Sequence, residues 1–231
     1  MKGTTDLTQG KIMPTLMKLT LPIIATNFIS TTYGLVDMMW VGRLGSGPVA
    51  AIGTASFFIN LAVALSTMIT IGTGIKVSHC MGAGEDDKAK TNIKNGFFMS
   101  VLLGFLYMAF VFLTKDQLIG FFDLGSDEVE RMAKQFLFIS ILGTVFSVVN
   151  TLFATILNAM ENSKLPFHIF TVGLFLNIIL DPFLIFGVGR FEGLGVVGAA
   201  IATLTANLLV TVLFFHSNKA FRVDYQVISM E

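Results

Sequence analysis

Six long apolar stretches alternate with short polar breaks along the 231-residue chain. They run roughly from Ile12 to Val41, Val49 to Val77, Ile93 to Leu113, Phe136 to Ala159, Pro166 to Val188 and Leu194 to Phe215. Crossing the hydrocarbon core takes about 20 apolar residues in a helix, so each stretch predicts a spanning helix. The breaks are "GRLGSGP" (42–48), "GAGEDDKAK" (82–90), "TKDQLIGFFDLGSDEVERMAK" (114–134), "MENSKLP" (160–166) and "GRFEG" (189–193). The expected fold class is an all-α membrane protein with six transmembrane helices, the lobe occupying residues 1–218.

Composition agrees with that pattern. Charged residues make up 13% of the chain and hydrophobic ones 54%, whereas soluble domains carry about 25% charged residues. The 23 Phe and 22 Gly against a single Trp fit a membrane setting, since Gly is more frequent in membrane helices than in soluble ones. A net charge of zero removes the basic face that a nucleic-acid partner would need. The lone Cys80 excludes an internal disulfide. "MKGTTDLTQGK" is not expected to be a signal peptide, because no small-residue cleavage site follows it and the first apolar run is long enough to span.

Lys and Arg are distributed unevenly between the two sides. One side would hold ten: Lys2, Lys11, Lys18, Lys76, Lys88, Lys90, Lys94, Lys164, Lys219 and Arg222. The other would hold five: Arg43, Lys115, Arg131, Lys134 and Arg190. The richer side is read as cytoplasmic, with both termini facing in and the chain in the cell membrane.

A charge at the bilayer centre costs at least ~2.5–3.5 kcal/mol on insertion scales, so it persists only inside protein or beside water. Two acids lie well inside the spans, Asp37 in "YGLVDMMWVG" and Asp181 in "NIILDPFLIFG". Both sit near the C-terminal ends of odd-numbered spans, which all point the same way. At 1.5 Å per residue they lie about 6 and 10 Å below one membrane face. Thr203, on the sixth span, runs the opposite way and lies about 13 Å down. Parity alone therefore allows Asp37, Asp181 and Thr203 to meet in one pocket. Asn177 precedes Asp181 by four residues and shares its helical face. Pro182 has no N–H for the carbonyl of Ile178 and predicts a kink beside the acid, a hinge position. A broken helix beside an acid is how transporters often build cation sites. Asn27, Asn60, Asn150 and Asn207 are read as groups that hydrogen-bond across helices.

Catalytic motifs are missing: there is no HExxH, no GxSxG, and "GTGIK" (72–76) lacks the P-loop spacing and its Ser or Thr. His79, His168 and His216 are too scattered to suggest a metal site. No enzyme activity and no cofactor are expected.

"VDMMWVGRLG" (36–45), "MGAGEDDKAK" (81–90), "NIILDPFLIFG" (177–187) and "GLGVVGAAIAT" (193–203) together resemble the multidrug and toxic compound extrusion (MATE) family, in order along essentially the whole chain. The resemblance implies one lobe of a twelve-helix antiporter whose two six-helix lobes face each other across a central cavity. Such antiporters exchange H⁺ or Na⁺ for organic, often cationic, drugs and toxic compounds. It places the coupling-cation site on Asp37, Asn177, Asp181 and Thr203, which would take H⁺ or, as oxygen ligands, Na⁺. Residues 219–231, "KAFRVDYQVISME", look like the start of the cytoplasmic linker to a second lobe. The expected partners are thus a small organic cation, membrane lipid, and a C-terminal lobe or a second copy. A fragment, a truncated product and a dimerising half-transporter all fit one lobe. Phe153, Phe170 and Phe175 are expected to offer aromatic faces to a lipophilic cation. The rival readings are a lipid-linked saccharide flippase of the same superfamily, which would call for a basic cavity, and a membrane protein that does not transport. "GLGVVGAA" is read as a close-packing stretch.

Overall fold

Backbone inside lipid has no water to bond, so a spanning segment must satisfy its own N–H and C=O groups. Six helices do so here, in a computed structural model that describes residues 12–189 and 191–220. They are α1 (Ile12–Val41), α2 (Ser46–Gly82), α3 (Asp86–Gly120), α4 (Asp127–Ala159), α5 (Lys164–Phe186) and α6 (Val196–Ala220). All six are long and apolar enough to cross a membrane. A 3₁₀ turn, Gly42–Leu44, links α1 to α2. Between α5 and α6 a short antiparallel hairpin pairs β1 (Gly187–Val188) with β2 (Phe191–Glu192). Residues 221–231, most of the expected linker, lie outside the described residues, as do Lys2, Lys11 and Arg190 of the charge count.

Three helices run well past their apolar stretches. The 21-residue polar break at 114–134 narrows to the residues between Gly120 and Asp127, and α3 starts seven residues ahead of Ile93. Polar side chains do not end a helix once it leaves the hydrocarbon; they only mark where lipid stops. α4 opens instead on Asp127, Glu128 and Glu130, acids that suit the positive end of a helix. α5 also continues through Pro182 and ends one turn later at Phe186, where Gly187 takes a left-handed φ of 79°. Pro182 leaves the Ile178 carbonyl without its helical N–H, so the turn that carries Asp181 lacks one rung of the ladder.

Helix α4 packs against α2, α3 and α6, while α5 packs against α1 and α6. α1 therefore reaches the rest of the lobe chiefly through α5. One apolar cluster, including Val41, Phe58, Leu137 and Ile185, sits where α1, α3 and α5 finish. A second, built on Phe153, Ile169 and Phe214, fills the opposite end. Buried Asn150, Asn177 and Asp181 occupy the levels between them. The outward surfaces are apolar, as at Phe28, Met68 and Leu113, which suits contact with lipid chains.

The "GLGVVGAA" stretch packs as its small residues allow. A Cβ at Gly198 would collide with the backbone of Leu184, and one at Gly193 with that of Ile185 and Phe186. That close approach lets Leu194 N–H donate to the Leu184 carbonyl at 2.8 Å and Gly195 N–H to that of Ile185 at 3.1 Å. Carbonyls left over at the end of α5 are thereby satisfied by the start of α6. The spacing of these two helices, and with it the site below, follows from this contact.

Candidate cation site

Three helices deliver oxygen-bearing side chains to one place. Asp37 comes from α1, Asn177 and Asp181 from successive turns of α5, and Thr203 from α6. Asn177 Nδ2 donates to Asp181 Oδ1 at 3.2 Å and lies 3.4 Å from Thr203 Oγ1. Thr203 Oγ1 in turn donates to Asp37 Oδ2 at 3.0 Å. Thr203 and Asn177 thus bridge the two carboxyl groups. Asn177 and Asp181 are fully buried and Asp37 is partly so.

Donors and acceptors do not balance there. Asp37 Oδ1, Asn177 Oδ1 and Asp181 Oδ2 are buried and have no hydrogen-bond partner. Buried polar atoms are nearly always paired, so three acceptors orphaned together demand a reason. Two carboxylates side by side in an apolar lobe also repel unless positive charge joins them. Oxygen donors of this kind suit hard cations, and a single proton would turn one acceptor into a donor toward the other. The residues present therefore fit either H⁺ or Na⁺. Among the described residues, no group of three or more His, Cys, Asp and Glu gathers to hold a metal.

Tyr33 is a neighbour that the sequence reading passed over. Its hydroxyl rests where a Cβ at Gly173 would otherwise stand, one turn before Asn177, and Tyr33 shares a face of α1 with Asp37. The signal was available: Tyr33 precedes Asp37 by four residues, the same spacing that links Asn177 and Asp181.

The three phenylalanines are not gathered around this site. Phe153 is 7% exposed and stacks on Phe214, with ring centroids 5.6 Å apart. Phe170 meets the same Phe214 edge-on at 5.7 Å. Both belong to the aromatic packing at the far end of the lobe. Phe175 is exposed, roughly 140° round α5 from Phe170 at 3.6 residues per turn. Pro182 sits directly after Asp181, within the last helical turn.

Residues 22–183 match the family model described as MatE. The chain is 26% identical to a probable multidrug resistance protein, NorM, of Thermotoga maritima, over 86% of this chain and 43% of that protein. It is 29% identical to the probable multidrug resistance protein YoeA of Bacillus subtilis, over 92% of this chain and 48% of that one. The chain thus spans about half the length of the curated relatives it matches. Among solved structures, it superposes with a TM-score of 0.82 and 25% identity on an outward-facing multidrug resistance MATE transporter, covering 93% of this chain and 46% of that one. A MATE structure in a bent conformation matches with a TM-score of 0.81 at 26% identity, over 90% of this chain and 46% of that one. With the MatE match spanning most of its length and six apolar helices of the same arrangement, the chain belongs to the MatE family of multi-pass membrane transporters, not to an enzyme family.

Proposed function

We propose that this chain forms the N-terminal lobe of a cation-coupled antiporter that exports organic, cationic drugs or toxic compounds. The supporting observation is the convergence of three unpartnered buried oxygens on Asp37, Asn177 and Asp181. H⁺ or Na⁺ is the coupling ion, taken up by Asp37, Asn177, Asp181 and Thr203. Loading removes the repulsion between the carboxylates and draws α1, α5 and α6 together, so occupancy favours one shape of the lobe over another. Pro182 is the bending point of the last turn of α5. The buried charge is acidic, which suits cationic cargo; an anionic pyrophosphate substrate would need a basic lining. Phe175 is the member of the phenylalanine trio with an open face for such a cargo.

Alternating access requires a second body for this lobe to move against, supplied by a C-terminal lobe or a second copy. In this arrangement the protein lies in the cell membrane with both termini cytoplasmic. The test expresses the lobe joined to a second lobe and follows efflux of a fluorescent lipophilic cation from loaded cells. Asp181→Asn and Asp37→Asn should each reduce ion-driven efflux to the level of cells lacking the transporter. Transport at the wild-type rate by both variants would falsify the assignment.

A further inference from the structure

A separate feature lies where α2 turns into α3. A cavity of about 540 Å³ opens there, lined by Lys76, His79, Lys88, Glu85 and Asn92 among others. Lys88 and Glu85 form an ion pair at 2.8 Å and largely cancel. Lys76 and His79 are exposed, and among the described residues no carboxylate is paired with either. Asn92 Nδ2 is already committed to the Lys88 carbonyl at 2.9 Å and faces Cys80 Sγ at 3.5 Å. The cavity thus offers an unneutralised ammonium, an imidazole and the spare N–H groups of Lys88, all donors for an anion.

Its surroundings are apolar in a directed way. On α2, the exposed Met68, Ile71 and Ile75 lie on the helical face that continues to His79. On α3, the exposed Met99, Leu102 and Leu106 lie on the face that begins at Lys88. Met99 is 11 residues from Lys88, about 16 Å along the axis. The two helices pack side by side. Two greasy tracks therefore run from one cationic cavity into the depth of the membrane.

We propose that this groove binds an anionic phospholipid, with its phosphate against Lys76, His79 and Lys88 and its two acyl chains along the α2 and α3 tracks. Charge complementarity at the head and two parallel apolar tracks below it match that ligand at both ends. A free phosphate would use only the cavity and leave the tracks idle. Basic pockets at helix ends are known settings for anionic head groups. The site is independent of the cation pocket and shares no residue with it.

Native mass spectrometry of the detergent-purified chain, titrated with phosphatidylglycerol or phosphatidylcholine of the same acyl composition, tests this. The anionic lipid should remain bound in clear excess over the zwitterionic one. One lysine near the headgroup region contributes about fivefold, so Lys76→Gln should reduce the preference by about that factor. Lys76→Gln with His79→Gln should nearly remove it, and Lys76→Arg should keep it. Circular dichroism with retained helicity shows that each variant folds. Equal retention of the two lipids, or an unchanged preference in the double variant, overturns the proposal. Binding of millimolar inorganic phosphate at the cavity with neither lipid retained would assign it to a free anion and overturn it too. So would a lipid-free dimer, in which a second copy covers the groove.

Discussion

Two buried polar clusters share helix α6, about one to two turns apart, and they are completed differently. In the first, Asn150 of α4 donates through Nδ2 to the Asn207 carbonyl at 3.0 Å, and its Oδ1 accepts from Thr211 Oγ1 at 2.8 Å. Asn207 Nδ2 donates back to the Thr203 carbonyl at 3.1 Å. Among the described residues, no buried side-chain atom of Asn150, Asn207 or Thr211 lacks a partner. In the second cluster, one α6 hydroxyl, Thr203, meets two acids and an amide, and three oxygens are left over. Burial is similar in both; donor count is not. A neutral, closed network glues α4 to α6, whereas an acidic, donor-poor one is built to receive positive charge.

The setting of each cluster sharpens the contrast. The closed network lies on α4, the helix with three long-range neighbours, whose spanning window is 56% buried. The acidic cluster depends on α1, whose window is 11% buried and whose packing runs chiefly through α5. Within α1, the hydroxyls of Thr26, Ser30, Thr31 and Thr32 each bond the carbonyl four residues back, and Pro22 interrupts the ladder. Such back-bonding bends helices slightly. The carboxylate most free to move is thus on the most loosely held helix.

The largest effect should come from the acids themselves. Trp40 is the sole tryptophan, three residues beyond Asp37, with its ring 6.2 Å from Phe186 at the end of α5 and Arg43 stacked over it at 4.6 Å. It therefore reports on the junction of the two helices that carry the carboxylates. Titrating the purified chain with Na⁺ in alkaline buffer, and separately with acid, should change its fluorescence. Asp181→Asn and Asp37→Asn should abolish the saturable change. A full response in both would remove the distinction between the two clusters.

Thr203 should matter next. It accepts from Asn177 and donates to Asp37, and a hydrogen bond to a charged group contributes about 1.5–3 kcal/mol. Thr203→Val should move the midpoint of the Na⁺ titration to about tenfold higher concentration or more, because the ion loses an oxygen ligand, while Thr203→Ser retains it. If valine leaves the midpoint unchanged, the hydroxyl is packing and not part of the site.

Much of this arrangement was legible from residues alone. Six spans followed from six apolar runs because lipid imposes one simple rule on every spanning segment. The meeting of Asp37, Asp181 and Thr203 followed from span parity and depth, which fix height without any knowledge of packing. What height cannot supply is direction around the bundle. Phe153 and Phe170 looked available for a cargo, yet both turn toward Phe214, and nothing in their spacing says which neighbour they face. The ends of α3 and α4 were hidden because helices continue into water on polar residues that read as loop. Pro182 predicts a kink, and α5 nonetheless continues past it to Phe186 before Gly187 ends the helix.

The smallest expected effect is the one that isolates the comparison. Asn150→Ala removes both partners of the closed network, leaving the Asn207 carbonyl and the Thr211 hydroxyl to each other at 2.9 Å. Hydrogen bonds between membrane helices average about 0.6 kcal/mol and reach about 1.7 kcal/mol. The substitution should therefore lower stability by about 1 kcal/mol, read as a downward shift in thermal unfolding. It should not move the midpoint of the Trp40 titration, because the acids keep their oxygens and Asn207 still holds the Thr203 carbonyl from within its own helix. A midpoint shifted as far as by Thr203→Val would mean that the two clusters act as one network along α6. The closed cluster would then tune the cation site and not merely hold α4 beside it.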